Sequence, residues 1–147
     1  DILNKFGDKV KLPIDLAYLS GGGRKEVEVD NLPVDQVLMD IGSNTMFKYE
    51  QIIKDAKTIF FNGPAGVFEK TETELGTKSV LTVVAKSNAF SVLGGGDSIA
   101  AVNKYKLLDD ISYISTGGGA LVRFLSGEEL PVIKALKKSA RKFSCGK

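Results

Sequence analysis

The sequence predicts an α/β fold: a Rossmann-like, mostly parallel sheet with helices on both faces, forming part of a three-layer α/β/α domain. Three observations predict it. Short apolar runs alternate with segments whose apolar residues recur at helical spacing, and that switching of period marks successive strand-loop-helix units. Two of the runs lead into triple glycines, at 94–96 and 117–119, each followed by a helical pattern. The 147 residues, 43% hydrophobic and 26% charged, suffice for one domain with a buried core.

The elements follow in order. The stretches 10–19 and 27–29 read as strands at a sheet edge, where Pro13 is tolerated, and Gly21-Gly22-Gly23 between them reads as a turn because no helix follows it. Residues 37–41 form a strand, and Met46, Tyr49, Ile52, Ile53 and Ala56 then share one helical face. The next strand is 58–61, and Val80, Val83 and Val84 mark the inner face of a helix ending near Ser87. Residues 90–93 are a strand before a helix lined by Ile99, Ala100 and Val102; 113–115 are another, before a helix with Leu121, Phe124 and Leu125. Pro131 after Glu128-Glu129 suits the first turn of a last helix, continued by Val132, Ile133, Leu136 and Ala140.

Composition excludes several function classes. Twenty basic and eighteen acidic residues leave a net charge of +2, too small a field to imply nucleic-acid binding. The excess is local: Lys134, Lys137, Lys138, Arg141, Lys142 and Lys147 crowd the end of the chain, as a solvated helix end favoured by its dipole would. With no histidine, the chain holds no Ser-His-Asp or Cys-His site and few options for zinc. The single Cys145 cannot form an internal disulfide, which argues for a reducing, cytoplasmic setting. No apolar run approaches the roughly 20 residues of a membrane span, and no signal peptide opens the sequence.

In a parallel α/β sheet, ligands bind beyond the carboxyl ends of the strands, so the loops there carry the chemistry. Gly94-Gly95-Gly96-Asp97-Ser98 stands before a helix, where glycine admits a phosphate close to the backbone and unpaired amides favour an anion. Asp97 there could hold Mg²⁺ beside bound phosphates or cap the helix; spacing does not separate the two. Gly117-Gly118-Gly119 repeats the device on a neighbouring loop, although glycines also serve tight turns and close packing. Neither loop matches G-x-x-x-x-G-K-[ST] or G-x-G-x-x-G. In the third loop, 61–69, Val67 and Phe68 offer apolar surface while Asn62 and Glu69 offer polar ends, which suits a nucleoside with a carboxylate on its ribose; the alternative is a bent loop tucking Phe68 into the core.

Asn62-Gly63-Pro64-Ala65-Gly66-Val67-Phe68-Glu69 closely resembles the N-G-P-x-G-V-F-E motif of the phosphoglycerate kinase family. Gly94-Gly95-Gly96-Asp97-Ser98 is similar to its G-G-G-D-[ST] loop, and Ser115-Thr116-Gly117-Gly118-Gly119-Ala120 to its S-T-G-G-G-A helix start. Asp40-Ile41-Gly42 and Leu130-Pro131 match as well, so the resemblance spans residues 11–136. Ala65 stands where methionine or valine is frequent, and Ser98 replaces the commoner threonine while keeping the hydroxyl.

The resemblance implies reversible phosphoryl transfer between ATP and 3-phosphoglycerate in glycolysis, with ATP or ADP and Mg²⁺ bound here. Glu69 would bond the ribose hydroxyls, Val67 and Leu38 would border the adenosine, and Asn62 would lie near the phosphates. Asp97 would hold Mg²⁺, Ser98 and the amides of Gly95 and Gly96 would contact phosphate oxygens, and Gly118 and Gly119 would offer amides to the phosphoryl group in flight. It further implies that residues 1–147 are part of a C-terminal nucleotide-binding domain. The N-terminal substrate domain and the first part of this domain, with the family's G-G-[AS]-K lysine, are not among these residues. The chain alone is then expected to hold part of a nucleotide without turnover, within a parent expected to be monomeric. An open sheet edge and an exposed apolar face would favour self-association. The competing expectation is a non-catalytic phosphate-binding or structural piece that complements another chain.

Overall fold

The computed structural model describes residues 1–143; Cys145 and Lys147 lie outside the described residues. After α1 (Ile2–Phe6), strands β1 (Asp15–Ser20) and β2 (Gly23–Glu28) form an antiparallel hairpin whose register runs from Asp15 opposite Glu28 to Ser20 opposite Gly23. Gly21 and Gly22 form its turn with φ of 62° and 80°, the left-handed pair that a two-residue hairpin turn requires. The glycines there are a turn, as expected. Strand β3 (Leu38–Ile41) leads into α2 (Ser43–Lys54) as the periodicity predicts. It pairs antiparallel with β1, giving the order β2-β1-β3, and so joins the hairpin instead of extending the parallel sheet.

Two buried carboxylates explain that choice. Asp40 on β3 accepts from Arg24 Nη1 on β2 at 2.8 Å, so leaving the hairpin would strand a buried charge. Asp15 on β1 reaches the start of α2: Oδ2 accepts from the Asn44 amide at 2.9 Å, and Oδ1 from the Thr45 amide at 2.7 Å and the Thr45 hydroxyl at 2.5 Å. Gly42 precedes α2 and has no side chain to offer, so a strand carboxylate takes the helix's orphan amides. A Cβ on Gly42 would overlap that carboxylate.

Strands β4 (Thr58–Asn62), β5 (Phe90–Gly94) and β6 (Tyr113–Ser115) form a parallel sheet in that order. Helices α3 (Leu75–Lys86) and α4 (Gly96–Lys104) cover one face with Leu81, Val84, Ala101 and Val102, which meet Leu93, Ile111 and Phe68 in the core. Fully burying side chains such as Leu81 and Leu93 contributes about 1.5–3 kcal/mol each. On α4 it is Ala101 that is buried, while Ala100 faces out, one position off the expected lining.

The opposite face receives α5 (Gly118–Leu125) over the carboxyl end of β5, where Leu121 lies 3.4 Å from the place a Cβ on Gly94 would take. Beyond α5, Phe60, Phe90 and Tyr113 on this face are exposed, at 41%, 56% and 56%. The uncovered apolar face is therefore as anticipated. Helix α6 (Pro131–Phe143) starts on its proline, and Lys134, Lys137, Lys138, Arg141 and Lys142 all stand in solvent along it.

Candidate functional site

The parallel register sets Asn62, Gly94 and Ser115 level, so three loops leave the sheet side by side at its carboxyl edge. Short contacts bind them together. The Gly63 amide donates to Ser98 Oγ at 2.7 Å, which ties the loop after β4 to the first turn of α4. Asn62 Oδ1 lies 3.0 Å from the point a Cβ on Gly95 would occupy, and Gly95 has φ of 92°, a conformation suited to glycine. A Cβ on Gly118 would fall 2.6 Å from both Cα and N of Gly95, so α5 starts against the loop that starts α4.

Two helix N-termini thus open side by side. Neither α4 nor α5 has a side-chain cap, and the positions of Gly96 and Gly119 face open space, with nothing within 4 Å of a Cβ built there. Their first-turn amides remain for an anion, whose charge both dipoles favour. Asp97 is the second residue of α4, exposed, and makes no capping bond, so the helix-cap alternative is not realised. Among the described residues no three His, Cys, Asp or Glu side chains converge as a metal cage. A lone carboxylate beside anion-binding amides fits Mg²⁺, which takes one or two carboxylates and completes its shell with phosphate oxygens and water.

Ser98 is fully buried, and its oxygen accepts from the Gly63 amide, so it pins the loop after β4 to the start of α4.

The 62–69 loop folds back along β3. The Val67 amide donates to the Met39 carbonyl at 2.8 Å, and a Cβ on Gly66 would overlap the same carbonyl, so only glycine allows this approach. Thr77 Oγ1 accepts from the amides of Ala65 and Gly66 at 3.1 and 3.3 Å. Phe68 enters the core at 7% exposure while Val67 stays at 36%. Of the two apolar residues expected to offer surface, the core takes Phe68, and Val67 remains at the surface, as does Leu38 at 38% exposure. Asn62 and Glu69 at the two ends are exposed.

Several residues that organise this site were not singled out as site residues in the sequence. Asp40, beneath Gly66, accepts from Arg24, from the Gly76 amide at 2.8 Å and from the Ile41 amide at 2.9 Å. Lys104, at the end of α4, donates to the Phe68 carbonyl at 2.6 Å and pairs with Glu74 at 2.6 Å. The phenol of Tyr105 is pushed up to about 12 by burial first, then by the carboxylates of Glu74, Asp40 and Glu69, so the charge of Glu69 is felt at that phenol.

The model of the family described as phosphoglycerate kinase matches residues 1–128. The chain belongs to the phosphoglycerate kinase family. Among relatives, the phosphoglycerate kinase of Pyrococcus abyssi is 49% identical over 97% of this chain and 35% of its own, and that of Thermoplasma volcanium 45% identical over 97% and 35%. The crystal structure of phosphoglycerate kinase from Pyrococcus horikoshii superposes with a TM-score of 0.83 at 44% identity, covering 97% of this chain and 36% of that one. The chain therefore spans about a third of the length of the phosphoglycerate kinases it matches. Among the described residues no helix is long and apolar enough to cross a membrane.

Proposed function

We propose that this chain carries the Mg-nucleotide loops of a phosphoglycerate kinase, as part of a C-terminal nucleotide-binding domain, and serves reversible phosphoryl transfer between ATP and 3-phosphoglycerate in the cytoplasm. The supporting observation is the pair of uncapped helix N-termini held against each other at Gly95 and Gly118, with exposed Asp97 beside them. Phosphoryl transfer demands positioning and charge neutralisation more than covalent chemistry, and fixed amides supply both. In this reading the amides of Gly95 and Gly96 hold nucleotide phosphates, and those of Gly118 and Gly119 stabilise the phosphoryl group as it moves between acceptor and donor. Asp97 is the protein's ligand to Mg²⁺, which when bound would neutralise phosphate charge. Val67 and Leu38 border the base, Glu69 accepts from the ribose hydroxyls, and Asn62 orders the loop beside the phosphates.

The acceptor, 3-phosphoglycerate, is an anion needing cationic partners that these loops lack, so turnover requires further protein. Calorimetry of the 147-residue chain with Mg-ADP tests the nucleotide reading: measurable uptake supports it, and none overturns it. A coupled assay with ATP and 3-phosphoglycerate should stay at the no-protein control, and turnover well above it would overturn the dependence on a further domain. A second reading, a structural piece completing another chain, draws on the exposed Phe60, Phe90 and Tyr113; it expects binding of a complementary chain but no Mg-ADP uptake.

A further inference from the structure

We propose that Lys104 is a positioning residue that fixes the distance between the sugar and phosphate subsites, a role that rests on the nucleotide reading above. Helix α4 has the phosphate loop at its N-terminus and Lys104 as its last residue. Nine residues at helical rise make it about 13 Å long, a span on the scale of a nucleoside diphosphate. From its far end, Lys104 Nζ donates to the carbonyl of Phe68 at 2.6 Å. That carbonyl lies between Val67, assigned to the base, and Glu69, assigned to the ribose.

The loop is thus tied to α4 at both ends, by Gly63 to Ser98 near the phosphates and by Phe68 to Lys104 near the sugar. Between these ties the helix acts as a rigid spacer.

The lysine has two further partners, though its side chain is 37% exposed. Its ammonium pairs with Glu74 Oε2 at 2.6 Å, on a residue 9% exposed, and lies 5.8 Å from the centre of the Tyr105 ring. A charged donor to a carbonyl, oriented by a buried carboxylate and an aromatic face, is stronger than a neutral one and restricts the loop accordingly. Lys78 shares two of these partners, reaching Glu74 at 4.0 Å and the Tyr105 ring at 5.9 Å, yet has no bond to the loop. The two lysines therefore separate local charge from loop tethering.

The test is calorimetric titration of wild type, Lys104→Met and Lys78→Met with Mg-ADP and with Mg-pyrophosphate, which fills only the phosphate loop. Lys104→Met should weaken Mg-ADP at least fivefold and change Mg-pyrophosphate less than twofold, whereas Lys78→Met should change neither. Lys104→Arg, which keeps a charged donor, should recover part of the Mg-ADP loss. Equal losses of both ligands in Lys104→Met, or an unchanged Mg-ADP affinity, would overturn the spacer role while leaving the nucleotide reading intact. Failure of wild type to bind Mg-ADP would overturn that reading and this one with it.

Discussion

A Cβ on Gly118 would lie 2.6 Å from the Cα and the amide nitrogen of Gly95, so the two glycine-rich loops touch backbone to backbone. No side chain can yield there. Gly118→Ala must push α5 off the glycine loop that starts α4, and a forced backbone shift of this kind costs about 1–3 kcal/mol. Urea unfolding should show that loss, together with weaker Mg-ADP binding. Gly119 meets nothing within 4 Å, so Gly119→Ala should leave stability within about 0.5 kcal/mol while obstructing approach to the amides of α5. Equal destabilisation by both substitutions would contradict this division between a packing glycine and a ligand-facing one.

Asp97 caps nothing in α4, so its carboxylate is available to a cation. Asp97→Asn keeps the size and removes the charge. It should weaken Mg-ADP much more than metal-free ADP by calorimetry. Equal losses with and without Mg²⁺ would point to a role in the helix start instead.

Asp15 links stability to pH. Burial raises its pKa, but the Thr45 hydroxyl and the amides of Asn44 and Thr45 outweigh burial and hold it below the ordinary carboxylate value. A lowered folded-state pKa contributes stability above the unfolded value of about 3.9 and loses it as pH falls through the folded value. Wild type should therefore exceed Asp15→Asn in urea midpoint at pH 7, and the gap should close as the pH falls below about 4. A gap constant across that range would show that the charge contributes nothing.

The strand-loop-helix order was legible because it rests on local periodicity: strands 58–61, 90–93 and 113–115 agree with β4, β5 and β6 to within one residue. The glycine loops were legible for the same reason, as runs of one residue type at a junction. What stayed hidden joins residues distant in sequence. Arg24 to Asp40 spans 16 positions and Lys104 to Phe68 spans 36, and nothing in the spacing of a lysine at a helix end marks which carbonyl it will meet. The pairing of β3 with β1 depends on such partners, so periodicity could place β3 and α2 but not the sheet they join. Likewise Phe68 and Val67 are both apolar, and only the bend at Gly66 against Met39 decides that Phe68 turns inward.

Glu69 offers the sharpest test of where the nucleotide lies. A carboxylate can accept from both vicinal hydroxyls of a ribose, and Glu69 is exposed at the end of the loop that also presents Val67. Glu69→Gln should weaken Mg-ADP by about 1.5–3 kcal/mol, the range for a hydrogen bond to a charged group, and leave Mg-pyrophosphate unchanged. Wild type should also prefer ADP to 2′-deoxy-ADP and 3′-deoxy-ADP more strongly than the variant does. Equal discrimination by the two proteins would show that Glu69 does not read the sugar, and the nucleotide would then lie elsewhere along the loop. An independent readout checks that the variant is folded and the carboxylate correctly placed. Burial holds the Tyr105 phenol at about 12 with help from Glu74, Asp40 and Glu69, so removing the Glu69 charge should lower its ultraviolet titration midpoint. A lowered midpoint with undiminished sugar discrimination would leave Glu69 beside Tyr105 and remove it from ribose recognition.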